Sequence, residues 1–131
     1  MTQYENALQQ GRIFRRKGGT DYTGDFTLEL PAFVNAGVAV DTALLSAIAG
    51  SKLRILSYLV TNQGGVAATV VFNSKPGGAG VAIGPVMNLG VGGWIAESFV
   101  GGLFNSALGE GISVTVTGAA VGVRATYILI D

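Results

Sequence analysis

Residues 112–130 read ISVTVTGAAVGVRATYILI. In Ile112–Thr117 apolar residues alternate with Ser or Thr, the period-two signature of a strand with one face buried. Val121–Ile130 continues in the same manner, with Val123, Ala125, Tyr127 and Leu129 on one face. Gly118 falls between the two runs. Tight connections between antiparallel strands often need a positive φ, which Gly adopts without steric cost. The C-terminal part of the chain therefore reads as antiparallel β structure.

Working back toward the N-terminus, the same grammar recurs. Leu53–Thr61 (LRILSYLVT) is rich in strand formers, and Val66–Asn73 follows the Gly64-Gly65 turn. Lys75–Gly80 (KPGGAG) is a loop by composition. Val81–Ile83 and Val86–Leu89 predict short strands on either side of Pro85, and Gly92–Val100 carries the single tryptophan, Trp94. Further upstream, Asp25–Leu30 alternates and is expected to stop at Pro31, which cannot donate to a ladder. Val34–Val40 predicts a weaker strand. Asp41–Ala49 admits two readings, a short helix capped by Asp41 or Thr42, or an extended segment with a single turn, and the second is favoured. About eight strands with glycine-rich turns predict an all-β fold, an antiparallel β-sandwich or jelly roll, over residues 25–131. Residues 1–24 are polar and charged, and are expected to form an N-terminal extended arm that orders on a partner.

Composition narrows the function. The chain has no His and no Cys, and only 12% of its residues are charged, against 49% hydrophobic. Between Ser57 and Ile130 the charged residues are Lys75, Glu97, Glu110 and Arg124 alone. Without His or Cys there is no Ser-His-Asp triad, thiolate nucleophile or thiolate metal site. No enzyme activity, metal or cofactor is expected. Gly50-Ser51-Lys52 resembles the end of a phosphate-binding loop, but Leu45 stands where its first glycine belongs. The carboxylate pairs Asp21 with Asp25 and Glu97 with Glu110 are the only acid–base candidates, and turn positions account for most of them. Glu97 stands out in its apolar surroundings, with Arg124, Lys75 or a subunit interface as expected partners.

A formal net charge of zero gives no global attraction to nucleic acid or to an anionic membrane, and favours self-association. The apolar run Val81–Ala96 is interrupted by glycines and Pro85, so no membrane span is expected. The N-terminus lacks an apolar core, so no secretory signal is expected. One charge cluster exists: Arg12, Arg15, Arg16 and Lys17 around Phe14. Asp21, Asp25 and Glu29 follow closely and cancel it. Contact with an acidic protein surface ranks first, a solvated turn second and nucleic acid last. Trp94, Phe99, Leu103 and Phe104 read either as core or as an oligomer interface, since a small domain cannot cover so many large apolar groups in a glycine-rich stretch.

The order of motifs from Ala49 to Ile130 resembles that of small β-sandwich structural proteins of tailed bacteriophages. The resemblance is carried by Ala49–Ser57 (AGSKLRILS), Thr69–Ser74 (TVVFNS), Ile83–Leu89 (IGPVMNL), Ser106–Val114 (SALGEGISV) and the closing strand with Tyr127. Gly102-Leu103-Phe104 stands where the family often has Gly-Trp-Phe, and residues 1–48 lie outside the resemblance. It implies a virion structural protein: a capsid decoration or cement subunit, often trimeric, bound to the major capsid protein on the outer capsid surface. The alternative is a carbohydrate-binding adhesion module of a tail or head fibre, with Trp94 beside Glu97 or Asn105 as the expected sugar site.

Overall fold

The computed structural model describes residues 29–75 and 77–130. These residues form ten strands and no helix: β1 (Leu30–Ala36), β2 (Ala39–Leu45), β3 (Lys52–Asn62), β4 (Ala68–Lys75), β5 (Val81–Ala82), β6 (Met87–Leu89), β7 (Trp94–Ser98), β8 (Phe104–Asn105), β9 (Gly111–Thr117) and β10 (Val121–Ile130). They make two antiparallel sheets. The first has the order β1-β10-β3-β7, with β8 also on β3. The second has the order β2-β9-β4-β5, with β6 also on β4.

The connectivity is nested. The first strand pairs with the last, β2 with β9, β3 with β7 and β8, and β4 with β5 and β6. Counting β5 with β6 and β7 with β8 as two interrupted strands leaves eight. This is the jelly roll, a long hairpin wound so that its arms fall alternately into two sheets.

Between the sheets lies one apolar core. Leu53, Ile55 and Val60 of β3 and Val121 and Val123 of β10 face Val70 and Phe72 of β4 and Ile112, Val114 and Val116 of β9. Fully burying one such side chain contributes about 1.5–3 kcal/mol. A one-residue slip in register would turn the whole set outward, so this pattern fixes the pairing.

Three sequence expectations change in detail. The ladder between β3 and β10 shifts register between Thr126 and Tyr127, and Leu56 is the extra residue on β3. The buried set on β3 accordingly moves from Leu53 and Ile55 to Tyr58 and Val60, which is why LRILSYLVT lacks a clean alternation. Pro31 does not end a strand; it lies inside β1. That strand is at the edge of its sheet, where a residue with no N–H removes no essential ladder bond. Val34–Val40 is not one strand, because the break between strands falls at Gly37 and Val38, and Asp41 lies in β2, in keeping with the favoured extended reading rather than the helix cap. Residues 25–28 of the expected first strand lie outside the described residues.

Candidate functional site

The outer faces of the two sheets are built differently. On the second sheet, alternation turns Ser113 and Thr115 of β9 and Asn73 of β4 away from the core. They are nevertheless covered, because β2 bulges between Ala39 and Thr42 and sets Asp41 over them. Asp41 has a φ of 56°, in the left-handed region that Asp tolerates better than most residues. Its Oδ1 accepts from Ser113 Oγ at 3.0 Å and from Asn73 Nδ2 at 3.3 Å. Its Oδ2 accepts from the Gly80 N–H at 3.0 Å and from Lys75 Nζ at 3.2 Å. Asn73 Nδ2 also donates to Thr115 Oγ1 at 3.0 Å. The Gly80 N–H, then Lys75 and Ser113, hold the Asp41 carboxyl below its ordinary value against the opposing effect of burial. A Cβ at Gly80 would lie 2.2 Å from Asp41 Oδ1, so the loop approaches this closely only because residue 80 is glycine. Both carboxylate oxygens of Asp41 are engaged, and they hold Lys75 and the Gly80 N–H against the sheet.

The outer face of the first sheet keeps its polar groups open. Gly122 of β10 pairs with Thr61 of β3, which pairs in turn with Trp94 of β7. Arg124 pairs with Leu59, and Leu59 with Ala96. Phe33 and Asn35 rise from β1 alongside. Together Phe33, Asn35, Leu59, Thr61, Gln63, Gly122 and Arg124 line a shallow groove of about 170 Å³. The Gln63 and Thr61 side chains close over Gly122, where a Cβ would lie 2.7 Å from Gln63 Nε2 and 2.9 Å from Thr61 Oγ1. Gln63 Nε2 donates to Asn35 Oδ1 at 2.9 Å. Arg124 is exposed and makes no ion pair among the described residues.

The residues singled out in the sequence land in different places. Trp94 and Phe99 are exposed, at 66% and 64%, and Val100 beside them is 99% exposed. Leu103 and Phe104 turn inward and pack against the core. The Phe104 ring lies 5.8 Å from that of Tyr58 and 5.3 Å from that of Phe72. Glu97 meets neither Arg124 nor Lys75. It accepts from the Tyr58 hydroxyl at 2.6 Å, while Lys75 holds Asp41. Burial, reinforced by Glu97, pushes the Tyr58 phenol above its ordinary value and keeps it a donor. Glu110 accepts from Ser74 Oγ at 2.7 Å, and Asn105 accepts from Arg54 Nε at 3.0 Å. Trp94 and Glu97, three apart on one strand, project to opposite faces. The expected sugar site of Trp94 with Glu97 or Asn105 is therefore not assembled. Arg12, Phe14, Arg15, Arg16 and Lys17 lie outside the described residues.

No protein-family model matches this chain, and no curated protein matches it. Its function has to be read from its own residues. Two sets were missed in the sequence. The extended reading of Asp41–Ala49 is right for Asp41, but DTALL carries no signal for the bulge that turns its carboxylate onto β9 and β4. The groove draws on β1, β3 and β10, and only their pairing brings Phe33, Thr61 and Arg124 together.

Proposed function

We propose that this protein is a virion structural subunit, a decoration or cement protein bound as a homotrimer to the outer surface of a tailed-phage head shell. The observation that carries this reading is the row of large apolar side chains left in solvent along one sheet edge. Trp94 lies on β7, the edge strand of its sheet, and Phe99 and Val100 follow in the next turn. Val100 is almost wholly exposed on a chain with little charge to keep it dispersed. Large apolar side chains that the fold leaves uncovered mark an interaction surface. Burying them between copies satisfies both the side chains and the open strand edge.

The resemblance of Ala49–Ile130 to phage β-sandwich proteins supports the shell as the destination. A trimer presents three attachment points to the major capsid protein, so weak individual contacts add into firm binding. The basic cluster Arg12, Arg15, Arg16 and Lys17, with Phe14 as its apolar anchor, is the proposed contact with that protein. The test is co-sedimentation of the purified protein with head shells that lack it, at low and high salt. Saturable binding is expected, weakened by salt and by replacing the four cations with Ser. Failure to bind shells, or unchanged binding by that variant, overturns the reading or its assignment of the contact.

A further inference from the structure

We infer that the groove on the outer face of the first sheet binds an acidic saccharide, a sugar unit bearing a carboxylate. The proposal goes beyond the structural role and does not depend on it, because the groove and the Phe99–Val100 cluster use different residues.

The chemistry of the lining selects the ligand. Phe33 is 70% exposed and presents a flat apolar surface. The C–H faces of a pyranose ring pack on such a surface, while its hydroxyls require donors and acceptors around the rim. Those are supplied by Thr61 Oγ1 and by the amide pair of Asn35 and Gln63. The 2.9 Å bond from Gln63 Nε2 to Asn35 Oδ1 fixes the two amides to each other. It leaves Gln63 Oε1 as an acceptor and Asn35 Nδ2 as a donor toward the groove. Leu59 and the Gly122 backbone form the floor. The volume, about 170 Å³, is below the roughly 300–1,000 Å³ of sites for larger ligands and suits a single ring.

Arg124 decides the charge. Among the described residues it is the one ionised side chain in the lining, with no carboxylate paired to it. A guanidinium meets a carboxylate with two parallel hydrogen bonds, a geometry a neutral sugar cannot use. A second copy docked face to face on this groove would bring two such cations together with nothing to neutralise them. A single cation is also too few for a nucleic-acid backbone, whose binding rests on many phosphate contacts.

The experiment titrates the whole protein with sialyllactose and oligogalacturonate, and with lactose and a neutral galacto-oligosaccharide as their uncharged counterparts. Heat of binding and backbone amide shifts are both followed. At least one acidic sugar should bind, tenfold or more tighter than its neutral counterpart, with shifts centred on Asn35, Thr61, Gln63 and Arg124. Arg124→Gln should remove that preference, and Phe33→Ala should weaken binding about tenfold. Both side chains are exposed, so both variants should fold. Phe99→Ser, which addresses self-association, should leave sugar binding unchanged. The proposal is overturned if neither acidic sugar binds, if neutral and acidic sugars bind alike, if Arg124→Gln changes nothing, or if the shifts map elsewhere.

Discussion

The two sheets of this jelly roll share one core yet treat their outer faces in opposite ways. On the second sheet, a strand bulge lowers Asp41 onto Ser113, Asn73 and the Gly80 N–H, and the polar groups satisfy one another. On the first sheet, Phe33, Arg124 and the amides of Asn35 and Gln63 border an open groove, and Trp94 stands exposed near the edge. The contrast teaches where stability ends and recognition begins. Among the described residues no buried side-chain nitrogen or oxygen lacks a partner. The polar groups around the groove are therefore not called on to satisfy the fold's interior.

The contrast breaks most visibly at Asn73. Asn73→Ala removes the donor shared by Asp41, Ser113 and Thr115 in a buried setting, and should cost about 1–3 kcal/mol in urea unfolding. A cost near zero would mean that the second sheet's outer face is no more closed than the first. Tyr58→Phe, which strips Glu97 of its donor at the margin of the first sheet, should cost less, about 0.5–1.5 kcal/mol. A larger loss than that of Asn73→Ala would reverse the comparison.

Acid offers a reversible version of the same test. The folded Asp41 carboxyl titrates below its ordinary value near 3.8. Its contribution to stability is thus fully present above that value and is lost as pH falls through the lower folded one. Melting temperature followed from pH 5 to pH 2 should fall more steeply in the parent than in Asp41→Asn, which has no carboxylate to protonate. Parallel curves would show that Asp41 contributes nothing through its charge. The smallest effect belongs to the open face, where Arg124→Gln should alter stability by no more than about 0.5 kcal/mol.

The core was legible in the sequence and the outer faces were not. ISVTVT shows Ile112, Val114 and Val116 pointing inward, because alternation records which face is apolar. The same pattern places Ser113 in solvent, yet it is fully buried. What buries it is Asp41, 72 positions away in sequence, through a bulge that no local pattern marks. The glycines announced turns, and Gly50, Gly92, Gly102, Gly109 and Gly118 do take positive φ. Gly122 does something composition does not reveal, letting the Gln63 and Thr61 side chains lie over the middle of a strand. Trp94, Phe99, Leu103 and Phe104 looked alike as a group of large apolar residues. Their separation into exposed and inward-facing pairs depends on the turn after β7 and on the short β8, which a glycine-rich stretch does not display.

The most direct test of the proposed role is the mass of the protein in solution at micromolar concentration, measured by sedimentation equilibrium. The exposed apolar edge with Trp94, Phe99 and Val100, read as a trimer interface, predicts three chain masses for the parent. It predicts one chain mass for the double variant Phe99→Ser/Val100→Ser, with the fold retained by circular dichroism. A parent that remains a monomer, or a double variant that still forms trimers, would contradict the assignment of this sheet edge as the surface through which the subunits assemble.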